Sequence, residues 1–133
     1  MIVVDSEVIA YCWLNTSRTP VAQAVRLKDP DWHVPLLWRF EVRNVLAGYV
    51  RGGDLTLRDA SRVMQQVEEE LSGGEHLVPS DDVLPLAAAV GLSAYDCEFI
   101  ALAHGLGVPL ITENRAVLKA FPKDSVSMDG FLR

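Results

Sequence analysis

The chain has 133 residues, 50% of them hydrophobic, and its formal net charge at pH 7 is −6. This length and composition allow one domain, residues 1–133, to bury a core, and they exclude wholesale disorder. The acidic balance argues against a protein that coats nucleic acid through a basic face. It does not exclude an enzyme that contacts nucleic acid locally through bound cations.

The sequence has no feature typical of a secreted or membrane protein. No apolar run approaches the length of a membrane span, and the first residues lack the basic segment of a signal peptide. Cys12 and Cys97 are the only cysteines; they lie in apolar surroundings and form no CxxC pair. We therefore expect a cytoplasmic protein without membrane contact, whose thiols are reduced and buried.

Short β-like runs alternate with helical patterns along the chain. The predicted strands are residues 2–4, 33–35, 76–78, 108–112 and 125–127. The predicted helices are residues 7–14, 20–28, 37–51, 57–71, 81–90, 94–106 and 114–121. Strands separated by helices indicate βα units, and hence an α/β fold with a parallel sheet covered on both faces. In such sheets ligands bind beyond the carboxyl ends of the strands, which is where Asp5 follows the first strand.

Three acidic residues lie in or beside mostly apolar stretches. Asp5 follows Ile2–Val4, Glu41 lies near the apolar stripe of the helix at 37–51, and Asp96 precedes Phe99. An ionised carboxylate that is buried without a partner is costly. We therefore expect the three carboxylates to converge on a cation or a water-filled cleft.

Each acid also has an ordinary structural explanation. Asp5 or Ser6 can cap the first helix, and Asp96 stands three residues after Ser93, as in a capping box. Glu41 can pair with a neighbouring arginine or reach water. Taken singly, Asp5 and Asp96 fit these explanations well; taken together, the acids favour a divalent-metal site. Mg²⁺ and Mn²⁺ prefer oxygen ligands, and Mg²⁺ retains several waters, so two or three carboxylates suffice.

Other common sites are not supported by the sequence. The three histidines, His33, His76 and His104, lack the spacing of zinc ligands. No P-loop, GxSxG or GxGxxG pattern occurs, which argues against nucleotide-triphosphate, acyl-transfer and dinucleotide chemistry.

Four motifs resemble, in order and spacing, those of the PIN-domain family. They are VVDSEVI, WRFEVRNVL, LSAYDCEFIALA and PLITENRAVLKAFP. Within that family they are most similar to VapC-type toxins of type II toxin–antitoxin pairs. The resemblance implies a small α/β domain with a parallel sheet of about five strands. It also implies Mg²⁺- or Mn²⁺-dependent endoribonuclease activity through metal-activated water, a homodimer, and a cognate antitoxin that covers the active site.

The resemblance also assigns roles to individual residues. Asp5, Glu41 and Asp96 correspond to the acids that bind metal and carry catalysis. Ser6 and Thr112 correspond to supporting polar positions. Asn114 stands where many members have a fourth acid, so metal affinity is expected to be weaker and a second ion is in doubt.

Further expectations concern substrate and self-association. RNA phosphate contacts are assigned to Arg39, Arg43 or Arg115 at the rim of the cleft. Tyr49 and Leu55 are candidates for a dimer face, although core packing is the commoner use of such residues.

Two other functions remain open from the sequence. The first is a catalytically weak or inactive PIN-like binding module that acts through a protein partner, which the neutral Asn114 favours. The second is a phospho-acceptor signalling domain built on Asp5, Asp81 and Thr112. A lone acid at the end of the first strand, rather than an adjacent pair, argues against the second.

Overall fold

The computed structural model describes all 133 residues, Met1–Arg133, and contains five parallel strands in one sheet. The strands are β1 (Ile2–Val4), β2 (Trp32–Pro35), β3 (Glu75–His76), β4 (Leu110–Ile111) and β5 (Ser125–Val126). Their order across the sheet is β3-β2-β1-β4-β5. This confirms the predicted α/β fold, and it puts β1, which Asp5 follows, in the centre of the sheet.

Eight helices surround the sheet. They are α1 (Ser6–Trp13), α2 (Thr19–Lys28), α3 (Leu37–Arg51), α4 (Leu57–Leu71), α5 (Ser80–Val90), α6 (Ala94–Leu106), α7 (Arg115–Ala120) and α8 (Met128–Leu132). The first seven agree with the predicted helices to within one or two residues at each end. The eighth was not predicted. Ser127, assigned to a strand from the sequence, instead caps α8, because its hydroxyl accepts a 3.0 Å hydrogen bond from Gly130 N.

The core lies on both faces of the sheet because side chains alternate along each strand. Ile2 and Val4 pack with α1, α2, α3 and α4, whereas Val3 packs with α6 and α7. All three residues of β1 are at most 2% exposed. A strand buried on both faces reads as a continuous apolar run, which explains why β1 shows no polar alternation.

Gly74 allows the chain to approach the sheet closely before β3. A Cβ at this position would lie 2.2 Å from the carbonyl oxygen of Trp32, so a larger residue would push the backbone of β3 away from β2. The strand ends after His76, and Leu77, predicted to be part of it, is exposed.

The environment of several other residues tests further predictions. Cys12 and Cys97 are buried free thiols, and burial raises the pKa of both, that of Cys12 to about 11. Tyr49 and Leu55, candidates for a dimer face, are half-buried and pack against the larger core cluster, and a dimer face at these residues stays a prediction. No single helix is long and apolar enough to cross a membrane; α5 and α6 reach that length and composition only together, across a bend of 119°.

Candidate functional site

Asp5 is held at the carboxyl end of the central strand by two hydrogen bonds to its carboxylate. One oxygen, Oδ1, accepts a 2.9 Å bond from Val8 N, so Asp5 caps α1. The other, Oδ2, accepts a short bond from the hydroxyl of Thr112, which follows the neighbouring strand β4. Asp5 can therefore cap α1 and belong to the candidate site at once, because the bonds from Val8 and Thr112 hold its carboxylate at the edge of the sheet.

The environment of Asp5 disfavours its charge. Burial raises its pKa to about 7, against the opposing effect of the hydrogen bonds from Thr112 and Val8. The charges of Glu7 and Glu41 add to the increase. An ionised Asp5 is thus poorly compensated by the protein alone.

Glu41 projects from the middle of α3 and is tied to the start of α1. Its Oε1 accepts a 2.9 Å hydrogen bond from the hydroxyl of Ser6. Burial raises the pKa of Glu41, the Ser6 bond lowers it, and the charges of Asp96 and Glu98 raise it further. No arginine neutralises Glu41, so the pairing with Arg39 or Arg43 considered from the sequence does not form.

Asp96 lies in the first turn of α6, where Ser93 caps the helix. The hydroxyl of Ser93 accepts a 3.1 Å hydrogen bond from Asp96 N. The Asp96 carboxylate does not return a bond to Ser93 N, so the capping box is half-formed. The carboxylate therefore remains available to a pocket beside it.

These acids line one pocket of about 140 Å³, which we call the acid pocket. Its walls come from the carboxyl ends of the central strands and from the helices that follow them. The lining residues are Asp5, Ser6, Glu7, Glu41, Asp96, Phe99, Leu110, Thr112, Asn114 and Val117. All six of the predicted catalytic and supporting positions thus lie around one cavity.

Asn114 has a structural role at this pocket. Its Oδ1 accepts hydrogen bonds from Ala116 N at 3.0 Å and Val117 N at 3.2 Å, so it caps α7. The adjacent Glu113 faces elsewhere: Oε1 accepts a bond from Met128 N at 2.9 Å and lies 3.5 Å from Arg18 Nη2. Glu113 therefore does not supply the charge that Asn114 lacks.

The predicted arginine contacts are not found at the acid pocket. Arg39 donates two bonds to Glu75, at 2.6 and 2.7 Å, and one to Glu68 at 2.7 Å. The Arg39 guanidinium is thus engaged by carboxylates outside the acid pocket, and its contact with RNA stays a prediction. Arg43 stacks over Phe40, 5.4 Å from the ring centre, and neither Arg43 nor Arg115 lines the acid pocket.

Two glutamates near the site were not predicted from the sequence. Glu7 lines the acid pocket, and Glu98 contributes to the raised pKa of Glu41. The signal for Glu7 was its position two residues after Asp5 in the first turn of α1, which is also an ordinary place for an acid at a helix start. Asp81, by contrast, does not line the pocket, so the phospho-acceptor arrangement of Asp5, Asp81 and Thr112 is not formed.

The histidines form contacts that their spacing in the sequence does not reveal. The parallel pairing of β2 with β3 brings His33 Nδ1 to 2.8 Å from His76 Nε2, and His33 Nε2 lies 2.9 Å from Asp31. At the other end of the sheet, His104 lies 3.1 Å from Asp124. None of these groups lines the acid pocket.

The chemistry of the acid pocket fits a hard divalent cation. Its polar atoms are carboxylate, hydroxyl and amide oxygens, which are the donors that Mg²⁺ and Mn²⁺ prefer. Burial raises the pKa of both Asp5 and Glu41, a cost that a nearby cation would remove. As the side chains lie, no three His, Cys, Asp or Glu residues are close enough to ligate one ion together. Water would therefore complete the coordination, as is usual for Mg²⁺.

Comparisons with known proteins agree with the fold. The chain is 28% identical over 124 residues to Ribonuclease VapC3 of Pyrobaculum aerophilum, covering 91% of this chain and 95% of that protein. Its structure is similar to the crystal structure of PAE2754 from Pyrobaculum aerophilum, with a TM-score of 0.78 and 22% identity, covering 98% of this chain and 85% of that one.

A toxin–antitoxin complex from Klebsiella pneumoniae contains a chain of similar fold, with a TM-score of 0.66 and 18% identity, covering 96% of this chain and 98% of that one. No family model matches the chain. The similarities confirm the resemblance to VapC-type PIN-domain proteins that the four sequence motifs indicated.

Proposed function

We propose that this protein is an endoribonuclease that depends on Mg²⁺ or Mn²⁺ and acts as the toxin of a VapBC-like type II pair. The observation that carries the proposal is the meeting of Asp5, Glu41 and Asp96, far apart in the sequence, around one pocket at the end of the central strand. The similarity to a protein named Ribonuclease VapC3 supports RNA as the substrate.

The charge balance of the pocket supports a bound cation. Four carboxylates line it, and no lysine or arginine does. An RNA phosphate would be repelled from such a surface unless positive charge were added. A bound Mg²⁺ or Mn²⁺ would neutralise this repulsion, lower the pKa of a water and balance the charge that develops on the phosphodiester.

The protein groups orient the ligands and hold them in place. Thr112 and the amide of Val8 fix both oxygens of Asp5, and Ser6 fixes one oxygen of Glu41. Asp96, whose carboxylate accepts no bond within the chain, is free to adjust to substrate and cation. Rigid positioning by such bonds is what a catalytic metal site requires.

The partners belong to the same proposal. A chain of similar fold is part of a solved toxin–antitoxin complex, which supports a cognate antitoxin that binds this protein. Homodimerisation and action in the cytoplasm follow from the resemblance to VapC-type toxins. We place RNA and the antitoxin in competition for the same acid pocket.

A second candidate is a PIN-like module that binds a partner without cleaving RNA. Asn114 favours it, because the pocket has a neutral side chain at the position where the resemblance to the PIN-domain family implies a fourth acid. No three acids lie close enough together to ligate one metal ion, which also favours a binding module.

The test combines Mn²⁺ calorimetry with RNA cleavage, using wild type, Asp96→Asn and Asp81→Asn. Both aspartates lie in the first turn of a helix, but only Asp96 lines the acid pocket, so Asp81→Asn is the matched control. We expect wild type and Asp81→Asn to bind Mn²⁺ and cut RNA to 5′-phosphate and 3′-hydroxyl ends, whereas Asp96→Asn loses cleavage about 100-fold or more. Wild type that binds no Mn²⁺ would instead support the inert module.

A further inference from the structure

A second cavity opens beside the acid pocket, between α1 and α3. It has a volume of about 440 Å³ and shares Ser6, Glu7 and Glu41 with the acid pocket, so the two form one continuous cleft. We call it the side cavity. Its lining residues are Ser6, Glu7, Ala10, Tyr11, Leu14, Glu41, Asn44, Val45 and Tyr49. Its volume is within the range of pockets that hold small organic ligands, which is about 300–1,000 Å³.

The walls of the side cavity combine flat aromatic surface with a polar edge. Tyr11 and Tyr49 contribute rings from the two helices, and Ala10, Leu14 and Val45 provide apolar surface. The hydroxyl of Tyr11 donates a 2.6 Å hydrogen bond to Glu7 Oε1, which fixes the ring before any ligand arrives. This arrangement suits a planar ligand with an apolar face and a hydrogen-bonding edge.

The polar edge is formed by Asn44 and Glu7. The exposed amide of Asn44 both donates and accepts hydrogen bonds, so it can pair with the edge of a nucleobase. The carboxylate oxygens of Glu7 accept hydrogen bonds, one of them already from Tyr11. Adenine, cytosine and guanine each present an exocyclic amino donor beside a ring acceptor, whereas uracil has a donor only at its ring N3–H. We therefore expect the Glu7 and Asn44 edge to favour bases with an exocyclic amino group.

The charge of the cleft determines which part of a nucleotide enters the side cavity. Glu7 and Glu41 repel phosphate, so only an uncharged group fits there, and the phosphate is left to the acid pocket. A purely apolar partner side chain suits a different groove, between α3 and α4, whose walls include Leu46, Val50 and Met64. The polar edge of the side cavity thus favours a nucleobase over such a side chain.

We propose that the side cavity binds the nucleobase next to the scissile phosphate, with Tyr11 and Tyr49 contacting the ring and Asn44 reading its edge. This inference rests on the proposed ribonuclease function, and it adds a preference for unpaired RNA with a base other than uracil at one flanking position. Single-stranded RNA is commonly recognised in this way, by aromatic stacking together with hydrogen bonds to exposed base edges.

The first test measures binding separately from cleavage. Adenosine and uridine are titrated into isotope-labelled Asp96→Asn protein while the amide resonances of α1 and α3 are followed by NMR. We expect adenosine to shift the resonances of Asn44 and Tyr49 with an affinity several-fold above that of uridine. Adding Asn44→Ala or Tyr49→Leu should weaken adenosine binding about tenfold, whereas Asn15→Ala, an exposed asparagine outside the cleft, should not.

The second test uses wild type on single-stranded RNA with randomised sequence. We expect the cut sites to be depleted in uracil at one flanking position and this bias to disappear in Asn44→Ala but not in Asn15→Ala. Identical biases in all three proteins, with cleavage intact, would overturn the inference and leave the ribonuclease function standing. Wild type that cuts no RNA would overturn both. If neither nucleoside shifts the resonances, the cavity serves another ligand class, such as a partner's side chain, and the inference is wrong.

Discussion

The hydroxyl of Ser6 donates a 2.9 Å hydrogen bond to Oε1 of Glu41, 35 residues along the chain. This bond joins the first residue of α1 to the middle of α3, on the wall that the acid pocket shares with the side cavity. Ser6, which the resemblance made a supporting polar position, is thus a group that orients a neighbouring acid.

Loss of the Ser6 hydroxyl should clearly lower the affinity of the protein for Mn²⁺ and should lower the free energy of unfolding only slightly. In Ser6→Ala, Glu41 loses a bond that lowers its pKa, so protons compete better for the carboxylate. We expect Mn²⁺ affinity to fall several-fold by calorimetry and RNA cleavage to fall about tenfold. Stability should drop by about 1 kcal/mol, the usual net value of one hydrogen bond. Ser61→Ala, an exposed serine on α4, is the control, and equal Mn²⁺ affinity in both variants would contradict the role of Ser6.

Asp5→Asn should stabilise the protein at neutral pH while abolishing activity. The pKa of Asp5 is about 7 in the folded protein and 3.8 for an aspartate in the unfolded chain, so folding takes up a proton between these pH values. Protonation of Asp5 stabilises the folded protein fully below pH 4, and this stabilisation is lost as the pH rises through 7. Asparagine cannot ionise and avoids that loss.

Denaturation in EDTA at pH 4 and pH 7.5 measures this effect. We expect Asp5→Asn to exceed wild type by about 2 kcal/mol at pH 7.5, since each pKa unit corresponds to about 1.4 kcal/mol and partial access to water reduces the total. At pH 4 the two proteins should differ little. An equal difference at both pH values would show that the ionisation of Asp5 does not limit stability.

Asn114→Asp should strengthen cation binding without loss of the helix cap. Aspartate and asparagine cap helices about equally well, so α7 should remain intact. The new charge faces the acid pocket, where we expect Mn²⁺ affinity to rise about tenfold and cleavage to increase. Asn15→Asp adds the same charge on the surface and should change neither. A gain in both variants would point to a general charge effect.

We expect Arg39 to contribute to the stability of the fold and not to the binding or cleavage of RNA. Its guanidinium is bidentate to Glu75 and reaches Glu68, and Trp38 Nε1 donates a 2.9 Å bond to the same Glu75. Lysine cannot reproduce this geometry. We expect Arg39→Lys to lower the free energy of unfolding by about 1–2 kcal/mol, with cleavage per folded molecule unchanged.

Arg43 is exposed, so Arg43→Lys is the control for this substitution, and we expect it to leave the free energy of unfolding unchanged. Urea denaturation and cleavage rates at matched folded concentration separate the two roles. Loss of cleavage in Arg39→Lys with stability intact would return Arg39 to the substrate contacts that the sequence suggested.

The sequence by itself determined the helices and the fold class. It also predicted that the carboxylates of Asp5, Glu41 and Asp96 lie close together. Helix bounds such as Leu37–Arg51 follow from apolar spacing, caps and glycines within a few residues, so they are encoded locally. Asp5 directly follows an apolar strand, and ligands of parallel sheets bind beyond the carboxyl ends of their strands. Its candidate role is therefore also evident from a short stretch of sequence.

Only the tertiary structure decided which groups meet. Strand pairing and helix packing bring Thr112 to Asp5, 107 residues away, and Glu75 to Arg39, 36 residues away. They also create the side cavity and dock α8 against α2, although neither is visible in local periodicity. Local rules fix backbone conformation, whereas side-chain partners depend on the register and packing of distant elements, which no short window of sequence contains.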